Sequence, residues 1–380
     1  MKTRLAALMM LTLALAGCTP EPKLHLFDAQ PTETQLLFAE LDLDVYWDYE
    51  TENGTRYDWR KEWFYGWDDE DRRLFGEIGY TRPTSFSIRR YPTGDLPYTP
   101  HVRVIPSTIE GNIFQGYFTY GFWDMLVFND IKLVDGVQSL HFDETTTLDS
   151  ITVFTNESMS RVREETGYTH AFYQPEELFS AYEQAIEINR SLDGFVFDEE
   201  RNAYVKKLNM VLRPVTYIYL TQVIIHHNNG RIVGVEGSGH LSGFGRSSVL
   251  NSGRAGRDAV SVYHFTRLKR NCEKAGEQVD IVGGRLLTFG ICGQRSGHLS
   301  NSREVRDAHR HYMDLKMLFN NGTDSTFVFD VTDQVRQRYK GGVLTVELDL
   351  DTIPLPSRSG GSAFDAVVKD FEEETHEIEM

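Results

Sequence analysis

The sequence predicts a mainly β protein with little helix. Three observations carry that expectation. Short runs of period-two alternation recur along the chain, Asn-Gly and Asp-Gly turn dipeptides stand between many of them, and helical patterns do not alternate with the runs as crossover connections would. The chain has 380 residues and 40% hydrophobic content, enough for more than one domain. Its 23 Phe, 18 Tyr and 5 Trp exclude a solvated acidic coil as the general state. With 39 Lys+Arg against 56 Asp+Glu, a net charge of −17 and no long basic run, the balance argues against a nucleic-acid partner.

Residues 1–17 read as a lipoprotein signal peptide. Lys2 and Arg4 form a positive start, Leu5 to Ala16 is apolar but for Thr12, and small residues precede Cys18. The apolar stretch is well short of the roughly 20 residues that span a bilayer. Leu15-Ala16-Gly17-Cys18 looks like a bacterial lipobox, which implies a diacylglyceryl group on the Cys18 thiol and cleavage just before it. Two or three acyl chains hold a protein at a membrane stably where one holds it marginally. Thr19 is not the aspartate that retains lipoproteins in the inner membrane, so the resemblance implies an outer-membrane, lipid-anchored destination with a cell-surface orientation. Residues 18–32 are then a tether.

Residues 33–205 are expected to form an N-terminal β-sandwich domain. Leu41, Leu43, Val45, Trp47 and Tyr49 alternate with Asp42, Asp44, Tyr46 and Asp48, a strand with one core face and one acidic face. Further strands are expected at 85–89, 101–105, 117–120, 125–128 and 151–155, with turns at Asn53-Gly54 and Asp135-Gly136. Gln174-Pro175-Glu176-Glu177 followed by Leu178, Tyr182, Ala185, Ile186 and Asn189, with Gly194 beyond, carries helix start and stop signals around a 3.6-residue period. A helix is therefore expected there.

Residues 206–380 are expected to form a C-terminal β-sandwich domain, with strands at 208–212, 217–226, 231–235, 260–267, 280–291, 312–319, 325–331 and 343–350. The hairpin around Asn321-Gly322 is the clearest in the chain, and Asn229-Gly230 marks another turn. The glycine-rich stretch 234–245 lacks the third glycine of a dinucleotide fingerprint and the lysine of a phosphate loop, and reads as a loop at a sandwich end. The last sixteen residues hold seven acids and one lysine, yet Ala366, Val368, Phe371 and Ile378 favour a final strand over a solvated tail.

The chemistry-bearing residue types form no catalytic pattern. Asp307, His309 and His311 would share a face if extended, and His226-His227 would split across faces, but neither has a metal-site signature. Asp68-Asp69-Glu70-Asp71 lacks the spacing of a calcium loop and reads as a solvated acidic loop. Abundant carboxylates nominate no acid/base pair, and no nucleophile elbow is present. A non-catalytic protein without metal or cofactor is expected. Cys272 and Cys292 fit either a disulfide in an oxidising compartment or two separately buried thiols. Trp59, Trp63, Tyr65 and Trp67, beside Asp68–Asp71, are the best binding candidates: exposed rings next to carboxylates stack on and hydrogen-bond sugars, while core packing is the other use of such a cluster.

With these segments in hand, the chain resembles the fimbrillin-like surface lipoproteins of Bacteroidota, related to type V pilus anchor and tip subunits. The resemblance rests on residues 41–47, the run 120–129 ending Leu126-Val127-Phe128-Asn129, Gln174-Pro175-Glu176-Glu177-Leu178-Phe179, residues 239–245, Phe329-Asp330-Val331-Thr332-Asp333-Gln334-Val335 and Asp351-Thr352-Ile353-Pro354-Leu355-Pro356. It implies two tandem transthyretin-like, Greek-key β-sandwich domains and a role in fimbria assembly or cell adhesion. Partners would be fimbrial subunits joined by strand addition, or surface ligands. No basic cleavage site follows a long N-terminal segment, so an anchor, a tip or a stand-alone adhesin is expected rather than a polymerising stalk subunit. A glycan-binding surface lipoprotein is the alternative.

Overall fold

The computed structural model describes residues 35–38, 57–94, 96–97, 104–111, 113–116, 118–131, 140–143, 151–158, 162, 166–189, 191, 193–200, 203–208, 210–293, 309–353, 356 and 366–368. Cys18, the signal peptide, the tether, the strand expected at 41–49, the turns at 53–54 and 135–136 and Asp307 lie outside them. The described chain is mainly β, arranged in five sheets.

An antiparallel sheet runs in the order β13 (Arg213–Pro214), β10 (Phe179–Ile188), β5 (Gly121–Asn129), β2 (Ser85–Gly94) and β3 (Ile105–Glu110). Its central strand β5 is apolar on both faces because both are covered: Trp123, Met125 and Val127 join one core cluster with Phe86, Ile88, Phe179 and Ile186, while Leu126 and Phe128 join another with Tyr91, Leu140 and Val153. A small sheet of β11 (Val196–Asp198), β12 (Ala203–Val205), β1 (Gln35–Phe38) and β4 (Ile113–Gly116) contributes Phe114 to the first cluster.

Two larger sheets face each other. One runs β24 (Ala366–Val368), β22 (Asp324–Asp330), β21 (Tyr312–Phe319), β15 (Ile232–Gly245), β18 (Ala259–His264), β9 (Ala171–Phe172) and β8 (Glu157–Ser158). The other runs β19 (Arg267–Lys274), β20 (Glu277–Thr288), β14 (Tyr217–His226) and β23 (Gly342–Asp349). Between them lies the largest core, with Leu241, Phe244, Val262, Met313, Leu315 and Phe327 on one side and Tyr219, Val223, Ile225, Val282 and Leu344 on the other. A fifth sheet, β17 (Arg254–Ala255), β16 (Ser247–Val249), β7 (Thr152–Thr155) and β6 (Leu140–Asp143), joins strands from before and after residue 205. The sheets holding β13 and β8–β9 do the same, so three sheets tie the two halves of the chain together.

Three expectations are corrected. Residues 179–188 form a strand, not a helix. Their register against β5 shifts between Glu183 and Ile186, and the extra residue moves the core-facing positions from Phe179 and Ala181 to Ile186 and Ile188. That change of parity imitates a 3.6-residue period. Ala185 takes the bulge conformation at φ 54°, its N–H donated to Asp124 Oδ1 at 2.8 Å. The glycine-rich stretch is the interior strand β15 rather than a loop. Its glycines let strands approach: a Cβ at Gly239 would overlap Asp314 O, and one at Gly243, where φ is +97°, would lie 2.6 Å from Arg310 O. Finally, the acidic run 68–71 starts a helix, α1 (Asp69–Phe75), with Asp68 and Asp71 forming a capping box. A second short helix, α2 (Thr332–Gln337), packs Val335 into the largest core.

Candidate functional site

The face of β14 turned away from the largest core carries Ile218, Leu220 and Ile224, and residues 57–80 lie across it. Tyr57, Trp59, Trp63, Ile78 and Tyr80 pack on Ile218, Leu220, Leu287 and Val343, while Trp63, Phe64 and Trp67 pack beside Tyr65, Val279 and Ile281. Polar anchors fix the segment. Phe64 N–H donates to Gln222 Oε1 at 3.0 Å and Gln222 Nε2 donates to Glu62 O at 2.6 Å, so a buried side-chain amide replaces a neighbouring strand. Arg338 pairs with Glu62 at 2.7 Å, and Val343 N–H donates to the Tyr57 hydroxyl, whose pKa burial pushes up to about 12.

Of the four aromatic candidates, three meet. Trp63 lies 5.4 Å from Tyr65 and 6.4 Å from Trp67 between ring centroids. Trp59 sits on the adjoining patch under Arg60, which is 4.9 Å from its ring centroid. Tyr65 is buried, its ring filling space that a Cβ on Gly283 would enter at 2.5 Å. Trp63 and Trp67 are half-buried, and their indole N–H groups donate inward to Gly66 O (3.1 Å) and Gly76 O (3.2 Å). Their free edges offer a stacking surface without a spare donor.

The carboxylates beside them are spent on ion pairs. Buried Asp71 accepts from the Tyr65 hydroxyl at 3.0 Å, from Arg267 at 2.9 Å and from Lys269. Arg267 also reaches Asp68 at 3.0 Å and Glu70 at 2.6 Å, and Lys269 reaches Asp68 at 3.1 Å. The Asp71 N–H and these cations hold the Asp68 carboxyl well below the usual range, while burial and then the Asp71 charge drive the Tyr65 hydroxyl far up. The network docks α1 on β19 and β20.

The histidines are structural as well. His240 pairs with Asp314 at 3.0 Å across β15 and β21, both buried. His264 stands in the core with Nε2 at 2.9 Å from Thr221 Oγ1, and its Nδ1 has no partner among the described residues. Burial, and then the neighbouring His240, lower its pKa to about 3. His311 donates from Nδ1 to Ser242 O at 3.1 Å, and burial lowers its pKa to about 4. His311 is thus committed to the core, where His309 is half-buried and Asp307 lies outside the described residues. At the surface, His227 pairs with Asp349 at 2.9 Å and Arg231 with Asp351 at 2.6 Å, so the one cluster of possible metal ligands among the described residues is already an ion-pair network.

Cys272 and Cys292 are both free thiols, so the pairing that the spacing allowed is not made. Cys272 lies on β19 beside Val279, whereas Cys292 is buried against Gly243 in a turn beyond β20. Burial pushes the Cys292 thiol up to about 12 and raises that of Cys272, as expected of inert thiols. The sequence reading missed Gln222, whose amide holds the segment at Glu62 and Phe64, and Gln334, whose amide bonds Thr345 on β23; a buried glutamine in an otherwise apolar strand was the available signal for the first. Of the strand expected at 101–105, residues 101–103 lie outside the described residues, and Ile105 begins β3, which runs on to Glu110.

No known protein-family profile matches the chain, and no curated protein matches it. Several solved structures do. A candidate adhesin from Bacteroides ovatus ATCC 8483 is 14% identical, with a TM-score of 0.49, over 86% of this chain and 95% of that one. A candidate adhesin from Bacteroides thetaiotaomicron VPI-5482 is 10% identical, with a TM-score of 0.44, over 85% and 94%. A fimbrial anchor protein from Porphyromonas gingivalis is 11% identical, with a TM-score of 0.40, over 83% and 90%. Another similar solved structure, from Bacteroides thetaiotaomicron VPI-5482, carries the description of a candidate polysaccharide-binding protein and is 7% identical, with a TM-score of 0.40, over 83% of this chain and 90% of that one.

Proposed function

We propose that this chain is a lipid-anchored subunit of the outer cell surface that acts by binding, as a fimbrial anchor or tip subunit or a stand-alone adhesin, and not by catalysis. The observation that carries the reading is the join of a Cys18 lipobox to a β body whose polar side chains are spent on holding sheets together. Among the described residues no helix is long and apolar enough to cross a membrane. Main-chain pairing at a sheet edge then supplies affinity without a specialised pocket. The role is the one given for the similar solved structures, and it is proposed here on the chain's own features.

Isolation of the tethered protein from detergent-solubilised membranes of its native cells tests this, by identifying what co-purifies in fixed proportion. Fimbrial subunits are the expected outcome. Recovery of polysaccharide alone would instead favour a glycan-binding lipoprotein, the reading that half-exposed Trp63 and Trp67, side by side, would serve.

A further inference from the structure

The lysine–carboxylate pairs of this chain differ in how far they are withdrawn from water. Lys274 meets Glu347, and Lys316 lies 3.3 Å from Asp324, but in both pairs the carboxylate is half exposed. The contact between Lys269 on β19 and Asp71 in α1 is of another kind, because the Asp71 side chain is wholly buried and that of Lys269 is 13% exposed. The two Asp71 oxygens have separate partners. Oδ1 accepts the Tyr65 hydroxyl at 3.0 Å and Arg267 Nη1 at 2.9 Å. Oδ2 meets Lys269 Nζ and accepts the Asp68 N–H at 2.9 Å. Asp68 Oδ2 stands 3.1 Å from the same Nζ, which also lies 4.2 Å from the centroid of the Tyr65 ring.

These are the parts that condensation of an amine with a carboxyl group needs. The amine touches one carboxyl oxygen, and two donors stand at the other, where negative charge gathers once the amine adds to Cγ. Burial, and then the Asp71 charge, keep the Tyr65 hydroxyl protonated, so it stays a donor throughout. Free amines and carboxylates in water do not condense at a useful rate, because they are dilute, solvated and charged. A pair fixed in contact by the fold has lost that entropy barrier, and a buried pair sheds the cost of two desolvated charges when it becomes a neutral amide.

We propose that Lys269 and Asp71 join in an intramolecular amide bond, formed by the folded chain without help. The step balances within the site. One proton passes from the Lys269 ammonium to Asp71 Oδ2, the freed Nζ lone pair forms the N–C bond at Cγ, and the carbonyl electron pair moves onto Oδ1 under the Tyr65 and Arg267 donors. Asp68, beside Nζ, relays a second proton from Nζ to Oδ2; the Cγ–Oδ2 bond breaks, the carbonyl re-forms and water leaves. An ammonium and a carboxylate become an amide and one water, so the step needs no oxidant, cofactor or second protein. The bond fastens α1, and with it the segment laid across β14, to β19 by a covalent link where ion pairs alone would otherwise hold it.

Tryptic peptide mapping of the full-length protein purified from its native cells tests this by mass spectrometry. Trypsin does not cut after an acylated lysine, so the bond yields a branched peptide of residues 62–72 and 268–270, one water lighter than the two linear peptides together. Fragmentation is expected to place the joint between Lys269 and Asp71, and not at Asp68, Asp69 or Glu70. Lys269→Arg keeps a cation beside Asp71 but cannot form the amide, so the branched peptide is expected to vanish while circular dichroism shows the β body unchanged. Tyr65→Phe leaves the ring against Gly283 and removes one donor from Oδ1, which is expected to slow accumulation of the branched peptide in newly made protein about a hundredfold. Linear peptides alone from the wild type, or a joint at any other acid or lysine, would overturn the proposal. An unchanged rate in Tyr65→Phe would overturn the part given to its hydroxyl.

Discussion

His264 makes the folded protein sensitive to acid in a way that can be worked out from its surroundings. It is fully buried between the two larger sheets and bonded through Nε2 to Thr221, with no partner at Nδ1 among the described residues. Burial disfavours an imidazolium there, and the neighbouring His240 adds to that. Burial therefore lowers the pKa from 6.5 to about 3. Below pH 6.5 the unfolded chain takes up a proton that the folded chain refuses, so this residue removes stability as pH falls from 6.5 towards 3. At pH 5 the loss amounts to about 2 kcal/mol, from 1.36 kcal/mol for each unit below the ordinary histidine value. His264→Gln keeps an acceptor or donor for Thr221 and cannot titrate. Denaturant unfolding followed by the fluorescence of Trp63 and Trp67, at pH 7.5 and pH 5.0, should show the wild type losing about 2 kcal/mol more between the two conditions than the variant does. The variant's stability at neutral pH does not enter, because only the difference counts. Equal losses for the two proteins would refute the assignment of His264 as a buried neutral imidazole.

Other substitutions test the packing on the page. Asp71→Ala leaves Lys269 and Arg267 facing each other without the buried carboxylate and is expected to cost about 3 kcal/mol in unfolding free energy, with loosened Trp63 and Trp67 fluorescence. An unchanged denaturation midpoint would mean that the ion network is ornamental. Gly239→Ala forces a methyl group into the main chain of Asp314 and is expected to cost more than Gly234→Ala on the same strand, where a Cβ meets only Leu318 Cδ1 at 3.7 Å, measured by thermal melting; parity between them would remove the close-approach argument.

The parts of this fold that could be read from sequence are those in which one face or one turn decides the outcome locally. The hairpin of β21 and β22 is such a case: Asn321 and Gly322 set the turn, Phe319 N–H donates to Thr323 O, and the flanking alternation meets one core. Residues 217–226 were equally legible, because an apolar strand buried on both faces reads as a continuous run. Legibility failed where a partner far along the chain overrode the local pattern. The β10 bulge exists because Asp124 on β5 accepts the Ala185 N–H. The glycines of β15 answer to the main chain at Arg310 and Asp314. The candidate aromatic segment could be named from its composition, but the surface on which it lies comes from residues more than 150 positions later, as the Phe64 to Gln222 bond shows.

The central claim is that residue 18 ties a binding body to the membrane. Fractionation of native cells expressing the wild-type chain or Cys18→Ala tests it directly. The wild type should pellet with membranes and leave them only in detergent, and the variant should appear in the soluble fraction with its β body intact by circular dichroism. Membrane retention of Cys18→Ala at the wild-type level would contradict the account.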